Sequence, residues 1–401
     1  GLLRRQRQMC IRDSDNPVDE NTSESFGYSI SLSSDGTILG IGAHGMHSTK
    51  IDVGAAFAYS LSENTLHATK NLKITDNIKH DNAFYTDNTI EFLTNTSGTM
   101  VTTNNQSAVK HHVYTANPSN KVAPWRSLGD PIDYVHNNTG ISAQSNSNFG
   151  RAVSFSSDGT ILAIGSSTFS ISGQSTSNEG TVFVYQYNGS SWVALGSPID
   201  YVNNNSNITA QTNTSFGWSV SLSSDGTILA VGAYLYDISS VTHTGIVFVY
   251  KYNGSDWEAL GNSIDYVNNH DASEYNASSQ YGISVSLSSD GTILAVGAKN
   301  YDIPNQSTSN EGTVFVHQYN GSSWVALGSP IDYVNTNSLT AQTNSSFGNS
   351  VSLSSDGTIL AVGAPDFDIP GQTGSSDEGT VFVYKYNGSD WVVLGLSLIH
   401  I

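Results

Sequence analysis

The segment SVSLSSDGTILAVGA occupies Ser219–Ala233 and returns almost unchanged at Ser284–Ala298 and Ser350–Ala364, with looser copies from Ser29 and Ala152. Repetition of this kind governs the fold, because each copy must be one structural unit that buries its apolar faces against neighbouring copies. Within the copy, Val220 and Leu222 alternate with serines, the period-two pattern of a strand with unlike faces. Ile228–Val231 is a continuous apolar run, as expected of a strand covered on both sides. Asp225-Gly226 joins the two as a tight hairpin turn, expected to be type I′.

The turn glycines are Gly36, Gly98, Gly159, Gly226, Gly291 and Gly357, spaced by 62, 61, 67, 65 and 66 residues. Five copies open on an aromatic-glycine pair: Phe26-Gly27, Phe149-Gly150, Phe216-Gly217, Tyr281-Gly282 and Phe347-Gly348. A second hairpin follows in each copy. The run GIVFVYKY (Gly245–Tyr252) leads through Asn253-Gly254 to DWEALG (Asp256–Gly261), and the Asn-Gly pair recurs at 188, 320 and 387. Each unit is therefore four antiparallel strands, and the expected fold is all-β: a β-propeller with six blades visible, or seven if the chain is a fragment. A single propeller domain spans 15–395. Its second blade, about 67–133, is degenerate: Ser97-Gly98-Thr99 replaces the Asp-Gly-Thr turn, while Trp125, Leu128, Gly129 and Ile132-Asp133 still track the other copies.

The two ends break this pattern. Residues 1–14 (GLLRRQRQMCIRDS) carry four of the chain's arginines and its only cysteine, Cys10, and residues 396–401 read LSLIHI where other copies have SPIDYV. Both read as translated adapter sequence, a non-native leader and tail that leave the true termini unseen. With one cysteine there is no disulfide framework and no CxxC metal site.

In an antiparallel meander, successive turns alternate between two ends. The strand 1–2 and 3–4 turns are short and share one end. The 2–3 loop (such as Tyr301–Gly312) and the link to the next blade (such as Pro198–Ser215) are long and share the other. Varied loops on a rigid scaffold are where ligands bind, so the long-loop face is the candidate surface.

The paired landmarks, FG before strand 1 and VGAP after strand 2, resemble the FG-GAP repeats of integrin-α-type propellers; the full pair is Phe347-Gly348 with Gly363-Ala364-Pro365. The resemblance covers nearly all of 26–395 except the degenerate second blade, and implies a propeller used for adhesion, as an accessory domain of an enzyme, or for other surface roles. It also implies calcium sites of DxDxDG form in the strand 1–2 loop. Here that loop is cut to SSDG, as at Ser223–Gly226, too few oxygens for the six to eight that Ca²⁺ prefers. No cofactor is therefore carried over.

Against the formal charge of −19, nucleic acid is excluded as a partner and an anionic membrane surface is disfavoured. No apolar run approaches the ~20 residues that span a bilayer. The sequence does not fix an oligomeric state. GIGAHG at Gly40–Gly45 fits GxGxxG but is followed by loop and strand, not by the helix that a phosphate site requires. His44 and His47 share a loop without a third ligand, and His111 and His112 are neighbours on a strand, pointing to opposite faces.

Loop acids recur: Tyr236-Asp237, Tyr301-Asp302 and Phe367-Asp368 after strand 2, and Glu179, Glu311 and Glu378 before strand 3. Loop capping is the favoured reading of these positions, with ligand binding the sharper one. The loop holding Asp366, Asp368, Asp377 and Glu378 is the one candidate for calcium. Trp125, Trp192, Trp257, Trp324 and Trp391 occupy one position per blade and read as packing. Trp218 is different: other copies place Tyr28, Arg151, Ile283 and Asn349 there, so it is a candidate for the channel mouth. Fourteen Asn-x-Ser/Thr sequons favour a secreted chain.

The expected function is non-catalytic: binding or adhesion to a protein or glycan through the long-loop face, outside the cell or at its surface. The rivals are a propeller hydrolase or lyase with its site at the channel mouth, which would need clustered acids or His in one blade, and an intracellular interaction scaffold.

Overall fold

A computed structural model describes residues 25–44, 47–48, 51–52, 54–61, 83–86, 89–92, 125–138, 140–174, 176–202, 208–270, 276–337, 339–369 and 377–397. The chain divides into two compact units, Gly1–Val18 with Ser60–Arg126, and Asp19–Tyr59 with Ser127–Ile401. In the smaller, Ala83–Thr86 pairs with Thr89–Phe92 as a two-stranded hairpin. The expected leader, tail, Cys10, His111 and His112 fall outside the described residues, apart from Leu396 and Ser397.

The described residues contain five four-stranded antiparallel sheets, the blades of a β-propeller. Blade 1 is Ser25–Leu32, Ile38–His44, Ala55–Leu61 and Trp125–Ser127; blade 2 is Phe149–Phe155, Ile161–Ser166, Thr181–Tyr187 and Trp192–Ala194. Blade 3 is Phe216–Leu222, Ile228–Ala233, Ile246–Tyr252 and Trp257–Ala259; blade 4 is Tyr281–Leu287, Ile293–Ala298, Thr313–Tyr319 and Trp324–Ala326. Blade 5 is Ser350–Leu353, Ile359–Ala364, Thr380–Tyr386 and Trp391–Ser397.

One boundary differs from the sequence reading. Leu128 N–H donates to Ala58 O (2.7 Å) and Ile132 N–H to Ala56 O (2.8 Å), so the landmarks expected in a separate second blade close blade 1. The same bonds recur as Leu195 to Val184 and Ile199 to Val182 in blade 2. Blade 1 lacks the Asn-Gly turn, and the segment between Leu61 and Trp125 is close to one repeat in length, which disguised it as a copy.

The turns also differ from type I′. Ser223 N–H donates to Ile228 O and Gly226 N–H to Ser223 O, and of the turn residues only Gly226 has positive φ, +69°. Asp225 instead braces the turn: its carboxylate accepts from Ser223 Oγ (2.6 Å), Thr227 N (3.0 Å) and Thr227 Oγ1 (2.9 Å). Asn253 likewise accepts the Ser255 and Asp256 N–H groups, leaving only Gly254 at positive φ.

Blades pack face to face through four contacts that repeat. The strand 2 glycine of one blade meets the FG glycine of the next, as Gly165 meets Gly217 and Gly297 meets Gly348. The turn glycine of one blade sits on the strand 2 isoleucine of the blade before, as Gly226 on Ile161. Strand 1 serines bond the next strand 1: Ser219 Oγ donates to Gly282 O (2.8 Å), and Ser221 Oγ accepts from Leu287 N (3.0 Å). The strand 4 tryptophans 192, 257, 324 and 391 each donate Nε1–H to a leucine carbonyl of the preceding blade at 2.8–2.9 Å. The packing role expected for the series holds for these four.

The connectors add a staple. Ile199 pairs with Val182 of blade 2, and Tyr201, fully buried, stacks at 5.6 Å on Phe248 of blade 3. Tyr134, Tyr266 and Tyr333 repeat this arrangement. Each connector thus reaches forward into the next blade's core.

Candidate functional site

Most positions in the repeat are constant because they make the contacts just described. The residue after each aromatic-glycine pair is not. The FG glycine has φ above +80°, and in blades 1 to 4 the ladder slips there: in blade 3, Phe216 pairs with Ala233 but Ser219 with Gly232. A β-bulge of this kind releases a residue from the ladder and re-aims its side chain. The released residues are Tyr28, Arg151, Trp218 and Ile283, at the long-loop end of strand 1.

Three of them form one assembly across blades 1, 2 and 3. The Arg151 guanidinium carbon lies 3.4 Å from the Trp218 ring centroid and 4.1 Å from that of Tyr28. Tyr234 packs on Trp218 at 4.5 Å, and His44 meets Tyr28 edge-on at 4.2 Å. A cation between two aromatic faces gains from both ring quadrupoles, by roughly 0.5–2 kcal/mol per ring. No carboxylate among the described residues pairs with Arg151, and its buried Nε has no hydrogen-bond partner. Burial pulls its pKa down to about 10, so it remains a cation at neutral pH. Burial also holds His44 below 6.5, keeping it neutral there. The strand 2 end of the same blade holds a second orphan, the buried hydroxyl of Ser167. A guanidinium beside a half-exposed tyrosine ring can donate to an anionic oxygen on a partly apolar ligand.

Trp218 is thus gathered into a cluster. Arg151, its centre, was visible in the sequence as the odd residue at the same position, and only the rarity of arginine in this chain hinted at a role.

The other candidates are placed differently. Tyr236, Tyr301 and Phe367 are buried in the aromatic clusters around Tyr201, Tyr266 and Tyr333. Asp237 accepts from His243 N (2.7 Å), Asp302 from Asn310 N (2.6 Å) and Asp368 from Asp377 N (2.7 Å), each closing its own 2–3 loop. Glu179 and Glu311 brace the same loops by accepting from Ile171 N and Ile303 N at 3.2 Å, and from Thr176 and Thr308 hydroxyls. Glu378 accepts from Ile369 N at 3.1 Å. Asp366 lies beside these, exposed. Among the described residues, no group of three His, Cys, Asp or Glu side chains could hold a metal ion, and no helix is long and apolar enough to cross a membrane.

No family model matches the chain, and no curated protein matches it. Solved structures similar to it include the periplasmic gluconolactonase of Pseudomonas aeruginosa, 16% identical with TM-score 0.39, covering 68% of this chain and 63% of that one. They also include hydrazine synthase of Kuenenia stuttgartiensis, 12% identical with TM-score 0.38, covering 92% and 65%. A third is a TolB candidate from Agrobacterium tumefaciens, 10% identical with TM-score 0.39, covering 94% and 82%. The chain therefore spans less than two thirds of the length of the first two. What these proteins do is not transferred.

Proposed function

We propose that this chain is a non-catalytic, FG-GAP-type propeller that binds a protein or glycan ligand outside the cell or at its surface, through the long-loop end of its blades. The observation that carries the reading is the Tyr28–Arg151–Trp218 stack. It stands at the repeat position that varies from blade to blade, and no carboxylate among the described residues neutralises its central cation. The ligand group that fits is a carboxylate or similar anion on a partly apolar carrier, such as a uronic or sialic acid residue or an acidic peptide side chain. The overall charge of −19 opposes an approaching anion, but screening within about 8 Å at physiological salt confines the decision to local groups. No metal takes part in this reading, so chelators leave binding unchanged.

The test is an array of neutral and carboxylated glycans together with neutral and acidic peptides, probed with the native chain, Arg151→Gln and Trp218→Ala. Binding confined to anionic ligands and lost in both variants supports the reading. Equal binding by Arg151→Gln contradicts it.

A further inference from the structure

Fourteen Asn-x-Ser/Thr sequons are spread along the chain, and the structure sets four of them apart. Asn188, Asn253, Asn320 and Asn387 stand in the strand 3–4 turns of blades 2 to 5, each within Asn-Gly-Ser. In every one, the side-chain Oδ1 accepts three bonds at 2.9–3.0 Å: from the N–H and the hydroxyl of the serine two residues on, and from the N–H of the residue after it. The carbonyl oxygen thus holds the turn, and the amide nitrogen is not needed for it. Asn253 Nδ2 donates to Glu258 Oε1 (2.6 Å) and Asn320 Nδ2 to Ser323 Oγ (3.3 Å), each with one of its two hydrogens. All four asparagines are exposed, and a Cβ at Gly189, Gly254, Gly321 or Gly388 would meet nothing within 4 Å. Asn137, another sequon asparagine, shows the opposite arrangement. It is half-buried, its Nδ2 donates to the Trp192 carbonyl of blade 2 (3.1 Å), and its Oδ1 accepts from Asp133 N–H (3.0 Å).

We propose that these four asparagines are N-glycosylation sites, so that blades 2 to 5 each carry one glycan at the short-turn end. The proposal rests on the extracellular reading above, because only a secreted chain meets the glycosylating enzyme. In the transfer, Nδ2 gives up one proton and bonds the anomeric carbon of a sugar supplied as a lipid-linked pyrophosphate. The bond from that carbon to the pyrophosphate breaks, and the lipid pyrophosphate leaves with the electron pair. The product amide keeps Oδ1 and one N–H. All three turn bonds therefore survive, as do the Nδ2 bonds of Asn253 and Asn320. At Asn137 the nitrogen is aimed at the Trp192 carbonyl, and a sugar on it would stand in that contact. Glycans are bulky and hydrophilic. On the short-turn end they lie opposite the Tyr28–Arg151–Trp218 stack and leave it uncovered.

The test expresses the full chain behind a cleavable secretion signal in a eukaryotic cell, which supplies the pathway whether or not the native chain uses it. The secreted protein is freed of glycans by peptide:N-glycosidase in heavy-oxygen water, and its peptides are mapped by mass spectrometry. An enzyme-free sample in the same water corrects for the spontaneous deamidation to which Asn-Gly is prone. Label at all four turn asparagines and none at Asn137 is expected, and Ser190→Ala should abolish it at Asn188 alone. A bare turn asparagine, or a labelled Asn137, would overturn the proposal. A second measurement does not depend on secretion. The chain made without glycans is treated, folded, with a soluble asparagine glucosyltransferase and UDP-glucose. Glucose on the four turns and not on Asn137 is expected, and a turn that refuses it would overturn the proposal. The glycan-free chain also separates this proposal from the reading it rests on: Arg151-dependent ligand binding is measured on that chain alone, so either can fail while the other stands.

Discussion

Gly165 of blade 2 and Gly217 of blade 3 meet backbone to backbone. A Cβ built on Gly165 would stand 3.0 Å from the Gly217 carbonyl carbon and would overlap its oxygen, while one on Gly217 would stand 3.3 Å from the Gly165 Cα. The two most recognisable glycines of the repeat are thus the two sides of a single contact, and neither can carry a side chain while blades pack this closely.

Gly165→Ala should therefore destabilise the fold by about 3 kcal/mol, since backbone on both sides must move. Gly363→Ala is the control. Its Cβ meets only the movable Ser350 hydroxyl, so the cost should stay below about 1 kcal/mol. Chemical denaturation of both variants checks the contrast, and equal losses would refute the account of the blade contact.

Blade 4 carries a paired exchange. Tyr281 replaces the phenylalanine of the other blades and His317 replaces their strand 3 tyrosine, and Tyr281 Oη lies 2.6 Å from His317 Nε2, fully buried. Tyr281→Phe alone should cost about 1–3 kcal/mol by stripping a buried ring nitrogen of its partner. Tyr281→Phe with His317→Tyr recreates the pairing of blade 3 and should recover most of the loss. A double variant that merely sums the two single losses would contradict this.

The turn aspartates predict an acid limit. Burial works to raise the Asp225 carboxyl, yet the bonds from Ser223 and Thr227 outweigh it and hold the group below its usual 3.8. Asp356 is held at about 2 by bonds from Ser354 and Thr358. A lowered folded-state pKa gives stability that is complete above the unfolded value and lost as pH falls through the folded one. Thermal melts should hold steady from neutral pH to about 5, fall from near 4, and steepen toward 2. Asp225→Ala should cost about 1–2 kcal/mol at neutral pH and flatten the acid slope. An unchanged slope would remove these turns from the explanation.

The fold was legible because its contacts are made by residues that repeat: the glycine pairs, the strand 1 serines and the tryptophans all recur. The same reasoning, applied to Tyr236, Tyr301 and Phe367, would have placed them in the core, since they recur as regularly as the tryptophans. The connector tyrosines 134, 201, 266 and 333 carried that signal too, within a repeated Ile-Asp-Tyr-Val. Blade 1's insertion stayed hidden because no local pattern separates an insertion of about one repeat from a decayed repeat. The stack at Arg151 needed the bulge, which brings together residues more than 60 positions apart along the chain.

Removing the cation should separate stability from binding. Arg151→Met gives up the cation–π gain but also relieves a buried, unpartnered donor, so stability should change by less than about 1 kcal/mol. Denaturation midpoints near that of the native chain are the expected result, and a loss of several kcal/mol would make Arg151 a structural residue.

The most direct measurement is calorimetric titration of the native chain and Arg151→Met with an oligogalacturonate and with its neutral methyl ester. Binding of the acid by the native chain, at least tenfold weaker binding of the ester, and no binding of either by Arg151→Met is the predicted result. Acid binding that is equally tight in the variant would contradict the assignment of this stack as the ligand site.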